Sequence, residues 1–193
     1  MHHIYHTEGI ILSSRNFGEA GKYYAIFTRD LGMIYAGAQG VRKISSRLRF
    51  VLQDFSYIKV DLVQGKDIWR VTSASKTNKL DDLQGKKENF KVLVNVARLL
   101  KRLLAGVEKN EGLFADLLDG LFVLEKASGG EDLRNIEVVM VLRILSNLGY
   151  IGGGEQLDSL ITSPFEKELV YEVSKSRAKV LSHINKALRE SQL

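Results

Sequence analysis

Phe55-Ser56-Tyr57-Ile58-Lys59-Val60-Asp61-Leu62-Val63 alternates without a break. Ser56, Ile58, Val60 and Leu62 fall on one face; Tyr57, Lys59 and Asp61 fall on the other. Successive side chains of extended backbone point to opposite faces, so this period of two predicts a half-buried antiparallel strand. Working outward, Gln64-Gly65-Lys66-Asp67 reads as a turn into a further strand over 68–74. Upstream lie three more β-branched and aliphatic runs, 7–13, 23–28 and 33–38. Asn16-Phe17-Gly18-Glu19-Ala20-Gly21 breaks the first from the second, and Arg29-Asp30-Leu31-Gly32 joins the second to the third as a hairpin. Five short strands with turn signals between them predict a small closed barrel. A five-stranded OB-fold is the commonest small basic barrel that binds single-stranded nucleic acid, with an SH3-like barrel as its structural rival.

Between the third and fourth strands lies Ala36-Gly37-Ala38-Gln39-Gly40-Val41-Arg42-Lys43-Ile44-Ser45-Ser46-Arg47-Leu48-Arg49-Phe50. It carries four cations, Arg42, Lys43, Arg47 and Arg49, and no acidic residue stands between Leu31 and Gln53. Uncompensated charges resist leaving water. The stretch therefore reads as a loop held out from the barrel, offering positive charge to an anionic partner. Arg15 and Lys22, just after the first strand and just before the second, extend that charge. The whole chain follows the same division. Its formal charge is +5, but residues 1–80 hold 12 Lys+Arg against 6 Asp+Glu, and residues 81–193 hold 16 against 17. The basic excess is confined to the barrel, which points to nucleic acid or an anionic surface there. Tyr23, Tyr24, Phe27 and Tyr35 lie on the second and third strands, as core or as stacking platform.

After residue 80 the apolar period changes to 3.6. The segments 86–104, 113–124 and 133–148 read as helices, the last apolar nearly all round and so central. Gly149 suits the position just past a helix end. Ser163-Pro164-Phe165-Glu166 reads as a capping box opening a final helix through Leu169, Val170, Val173, Val180, Leu181, Ile184 and Leu188. The expected architecture is α+β: an OB-fold domain over 1–80, then an all-helical domain over 81–193.

The 193 residues include no cysteine, which excludes disulfides, thiolate zinc sites and a cysteine nucleophile. No apolar run has membrane-spanning length and no cationic-then-apolar leader is present, so a soluble cytoplasmic protein with no membrane contact is expected. Gly65-Lys66 and Gly85-Lys86 lack the upstream Gly and the following Ser/Thr of a phosphate loop. Gly152-Gly153-Gly154 follows a helix rather than a strand. His2, His3 and His6 stand near the start of the chain, His183 stands alone, and no carboxylate pair demands acid–base chemistry. The residues point to binding without catalysis, metal or cofactor.

With these residues in view, the chain resembles the bacterial recombination mediator family RecO. The resemblance is carried by Glu8-Gly9-Ile10-Ile11-Leu12-Ser13-Ser14-Arg15-Asn16-Phe17-Gly18-Glu19-Ala20 and by Phe27-Thr28-Arg29-Asp30-Leu31-Gly32. Gly40-Val41-Arg42-Lys43 with Ser46-Arg47, and Gln53-Asp54-Phe55 through Gly65, continue it in family order. In the helical part Leu142-Arg143-Ile144-Leu145-Ser146-Asn147-Leu148-Gly149-Tyr150 is the best match. The resemblance implies binding of single- and double-stranded DNA, annealing of complementary strands, and loading of RecA onto strands coated by single-strand-binding protein, together with RecR. It places the protein in the cytoplasm, at the nucleoid. Arg15, Lys22, Arg42, Lys43, Arg47 and Arg49 are the expected DNA contacts. Lys101 and Arg102, beside Leu99, Leu100, Leu103 and Leu104, are weaker candidates for the acidic C-terminal tail of single-strand-binding protein. Many family members carry a four-cysteine zinc module after Leu-Gly-Tyr; here Gly152-Gly153-Gly154-Glu155-Gln156-Leu157-Asp158-Ser159-Leu160 takes that place. A protein–protein adaptor, or an RNA-binding OB module without recombination activity, is the alternative reading.

Overall fold

The computed structural model describes residues 3–104, 109–152, 154 and 157–191. His2, Gly153, Glu155 and Gln156, each named above, lie outside the described residues. The chain forms two compact units. One holds residues 1–81 together with 97–114; the other holds 82–96 and 115–193. Residues 97–114, at the edges of two helices, cluster with the barrel.

In the first unit β1 (Ile4–Phe17), β2 (Gly21–Thr28), β3 (Gly32–Ala38), β4 (Tyr57–Gln64) and β5 (Trp69–Lys76) close a barrel in the order β1-β2-β3-β5-β4. This is an OB-fold barrel. β1 is long enough to pair with two neighbours: residues 4–10 pair antiparallel with β4 and residues 9–17 with β2. A register shift between Ile11 and Ser13 bends it across from one to the other. Closure comes from the short parallel contact of Ala36 with Trp69 and Gly37 with Arg70. The expected inward face of β4 is observed: Ile58, Val60 and Leu62 join Ile11, Tyr24, Ile26, Ile34 and Ala36 in the barrel core. The outer face departs from the simple alternation. Tyr57 is buried because Phe114, at the start of a helix, covers it, with ring centroids 6.4 Å apart. Phe27 lies 5.4 Å from the same ring.

The segment between β3 and β4 includes a one-turn helix, α1 (Leu48–Val51), that the charge pattern concealed. Leu48 and Val51 pack on the barrel core, while Val41 and Leu52 are part of it. The cationic side chains Arg42, Lys43, Arg47 and Arg49 stay exposed, as the charge argument requires.

The helices are α2 (Lys87–Leu103), α3 (Glu111–Lys126), α4 (Gly130–Asn147), α5 (Asp158–Thr162) and α6 (Lys167–Glu190). In the second unit α4 is the central helix, with Val138, Val139, Met140, Leu142, Ile144 and Leu145 all buried. It ends as expected: Gly149 has φ 77°, Tyr150 N donates to Leu145 O at 2.8 Å and Gly149 N to Ser146 O at 2.9 Å. The proposed capping box is not formed. Ser163 ends α5, and α6 starts at Lys167 with Glu166 as its N-cap and no side-chain cap. The reason is Arg143. Its buried guanidinium takes the Ser163 carbonyl, and it stands 5.0 Å over the ring of Phe165, so these residues are held as a connection rather than as a first turn.

A cluster on the outer barrel wall sets a pH dependence. Tyr57 Oη donates to Glu8 Oε2 at 2.6 Å, and Arg29 Nη2 donates to the same oxygen at 3.1 Å. The Tyr57 bond, with help from Arg29, holds the Glu8 carboxyl below the usual range. Burial first, then the hydrogen bond to the Glu8 carboxylate, pushes the Tyr57 phenol up to about 12. The signs follow from linkage. Glu8 contributes stability above the ordinary carboxylate range, and this is lost as pH falls through its lowered folded value. Tyr57 contributes below the ordinary tyrosine range, and this is lost as pH climbs through about 12. Tyr57→Phe is expected to flatten both limbs of a Tm-against-pH curve. An unchanged acid limb in that variant would show that the Tyr57–Glu8 bond does not govern it.

Candidate nucleic-acid interface

One end of the barrel gathers most of the candidate cations. The β1–β2 turn, the exit of β3 and the β4–β5 turn all lie there. Tyr23 faces outward on β2, where its backbone pairs with Arg15 of β1 and Gly37 of β3. Its ring lies 4.4 Å from that of Phe17, which is half exposed, and the Arg15 guanidinium sits 5.3 Å above it. Lys22 Nζ stands near Ser14 Oγ at 3.4 Å. From the facing turn come Lys66, Ile68 and Arg70, all exposed. Phe17, Lys22, Tyr23, Lys66, Asp67, Ile68 and Arg70 border a groove of 370 Å³ on the barrel surface. Gly37 forms its floor. A Cβ there would stand 3.3 Å from the Tyr23 ring and 3.4 Å from Ile68 Cδ1, so a larger residue would fill the groove from below.

The groove combines π faces with surrounding cations. Aromatic rings offer stacking surfaces to bases of any identity, and Lys and Arg pair with phosphates. OB-folds bind oligonucleotides on the strand 2–3 face between these two turns. Gln39 also lines the groove, and the next residue begins the basic loop. Arg42 N donates to Ala20 O at 2.9 Å, tying that loop to the β1–β2 turn. Arg15, Lys22, Arg42 and Lys43 are thereby brought to one end of the barrel. Arg47 and Arg49 stand on the loop's returning limb, where Arg49 lies 4.5 Å over the ring of exposed Phe50.

Of the strand aromatics, Tyr24 and Phe27 are core, each 1% exposed, while Tyr23 and Tyr35 reach the surface. Sequence reasoning passed over Phe17, read there as part of a turn, and Lys66, Ile68 and Arg70. Their only signal was position: each flanks a turn at the same barrel end. Lys101 and Arg102 are exposed on α2; beside them Leu100, Leu103 and Leu104 are buried and Leu99 is partly buried. His6 Nδ1 lies 2.6 Å from Asp61 Oδ1, and His183 Nδ1 lies 2.9 Å from Lys179 O.

Among the described residues no group of three or more His, Asp and Glu is placed to hold a metal ion. Over 152–160 the described residues do not fit zinc. Asp158 is the one strong ligand among them, and its Oδ1 accepts from Gly154 N at 3.1 Å. No helix among the described residues is long and apolar enough to cross a membrane.

Residues 1–79 match the family model described as "Recombination protein O N terminal". Over 147 residues the chain is 33% identical to the DNA repair protein RecO of Heliobacterium modesticaldum, covering 76% of this chain and 52% of that protein. It is 31% identical over 147 residues to the DNA repair protein RecO of Pelotomaculum thermopropionicum, covering 76% and 56%. The corresponding protein of Desulfitobacterium hafniense is 28% identical, with coverage of 76% and 52%. The chain spans about half the length of these curated relatives.

Proposed function

Since the chain belongs to the RecO family through its N-terminal domain, we propose that it is a DNA-binding mediator of recombinational repair, acting without catalysis. The observation that carries this reading is the barrel end, where an aromatic groove and a cationic loop adjoin. The groove suits a single strand, whose bases are free to stack on Phe17 and Tyr23 while Lys22, Lys66 and Arg70 meet its phosphates. The loop suits a second polyanion. Two strands repel each other, and a surface that neutralises both lowers the cost of bringing them together, which is the physical content of annealing. RecR and the tail of single-strand-binding protein as partners, the loading of RecA, and a cytoplasmic place at the nucleoid rest on the family alone.

Phe17→Ala tests the groove. Phe17 is half exposed, so its loss leaves the barrel core intact. A stacked base is worth about 1–3 kcal/mol, so binding of a short oligonucleotide should weaken roughly 5- to 150-fold. Fluorescence anisotropy with labelled DNA and RNA of one sequence reads this directly. Equal affinity of variant and wild type would remove the groove as the base site. A strong preference for RNA would favour an RNA-binding module, and no salt-sensitive binding to either would favour an adaptor.

A further inference from the structure

The basic loop carries a feature that phosphate binding does not use. Ile44 is 88% exposed, more than any other large apolar side chain described. It stands directly after Arg42 and Lys43 and three residues before Arg47. The loop beneath it is built. Val41 and Leu52, 1% and 2% exposed, fix its two ends in the barrel core. Lys43 N donates to Gly40 O at 3.0 Å and Ser46 N to Lys43 O at 3.0 Å, so Ile44 sits inside a closed turn. Leu52 N donates to Leu48 O at 2.8 Å and closes the helical turn α1 on the way back. The tip therefore needs little ordering when it meets a partner.

We propose that Ile44 is an apolar wedge that enters a base step of duplex DNA while Arg42, Lys43 and Arg47 hold the flanking phosphates. This rests on the DNA-binding reading above. Aliphatic side chains have no π face and make poor platforms for a single base, but inserted between stacked pairs they unstack and kink a duplex. The cations beside the tip supply the attraction that such a distortion must draw on. The aromatic groove and the wedge then have different tasks at one barrel end: the first receives a single strand, the second disturbs a paired one. A lipid surface fits less well. Ile44 and Phe50 are the loop's two exposed large apolar side chains, and the only helix in the loop is the single turn of α1, whereas membrane-surface binding draws on an extended apolar helix face.

The test uses the whole chain and a short duplex with 2-aminopurine at one position, scanned along the duplex, with anisotropy read on the same samples. At saturation the wild-type protein should raise emission several-fold at one or more positions, because unstacking relieves quenching. Ile44→Ser should abolish the rise while keeping affinity within about two-fold and the salt slope unchanged, since the phosphate contacts persist. Ile44→Leu should restore it. Ile44 has almost no intramolecular contact to lose, so Ile44→Ser should fold with an unchanged Tm. Tight duplex binding with emission unchanged at every position overturns the wedge and leaves DNA binding standing. Failure to bind any DNA overturns both. A parallel arm with anionic phosphatidylglycerol vesicles should show no binding that depends on Ile44; such binding, without a 2-aminopurine signal, would assign the tip to membranes instead.

Discussion

The variant with Arg42, Lys43, Arg47 and Arg49 all changed to alanine should lose part of its salt-sensitive affinity for a single strand long enough to run from the groove onto the loop, while the groove cations Lys22, Lys66 and Arg70 keep their contacts. Each phosphate contact removed lowers the slope of log affinity against log salt by about 0.7, so four contacts lower it by about 2.8. Because the released counterions are the driving force, the loss is largest at low salt and shrinks as salt rises. It should fall equally on all base sequences, since phosphates carry no sequence. The fold should survive. These four side chains are exposed, and the loop is anchored by Val41, Leu48, Val51 and Leu52, which remain. Anisotropy titrations at several salt concentrations measure the slope, and circular dichroism checks the fold. If the folded variant binds with an unchanged slope, the loop does not meet the DNA. If it loses only one or two contacts, Arg47 and Arg49 on the returning limb are the first to be excluded, and pairwise variants will identify them.

The barrel was legible because its strands alternate and its turns carry glycine. What stayed hidden follows from interactions that alternation does not encode. Alternation puts Tyr57 on the face opposite Ile58, and the sequence places Phe114 57 residues away from it, so nothing local announces the ring that covers it. Phe17 lay in a stretch dense with turn residues, and only the pairing Phe17↔Gly21 shows that β1 runs on beneath it. The charge of the loop was legible in full, since four exposed cations with no acid between them admit one physical outcome. Its anchoring was not: Leu48, Val51 and Leu52 alternate with charges over too few residues for a helical period to register. In the helical part the apolar stripes gave α2, α3, α4 and α6, whereas the five-residue α5 is too short to show a period. The failed capping box has the same origin. Ser163-Pro164-Phe165-Glu166 satisfies the local rule, and a distant buried arginine overrules it.

That arginine carries the largest stability effect expected in the second unit. Arg143 is 4% exposed on central helix α4, a position where charge is costly unless paired and fully hydrogen-bonded. Here it is. Nη1 donates to Asp116 Oδ1 at 3.0 Å, Nε donates to Leu160 O at 3.0 Å, and Nη2 donates to Ser163 O. Asn147, one turn further along α4, donates to the other Asp116 oxygen at 2.8 Å. One side chain therefore joins α3, α4, the end of α5 and the connection to α6, and its plane covers the Phe165 ring. Arg143→Ala leaves the buried Leu160 carbonyl and the partly buried Ser163 carbonyl without their donor, opens a cavity against Phe165 and strips Asp116 of its counter-charge. Breaking a buried pair in this way should cost about 3–5 kcal/mol. Arg143→Lys should recover little of it, because an ammonium cannot reproduce the planar three-way fork. Urea unfolding of wild type, Arg143→Ala and Asp116→Asn measures the effect, and a double-mutant cycle isolates the pair. Asp116 is partly exposed, so Asp116→Asn should cost less than Arg143→Ala. If Arg143→Ala shifts the transition by less than about 1 kcal/mol, the connection before α6 is held by apolar packing of Phe165 and its neighbours, and the arginine is dispensable.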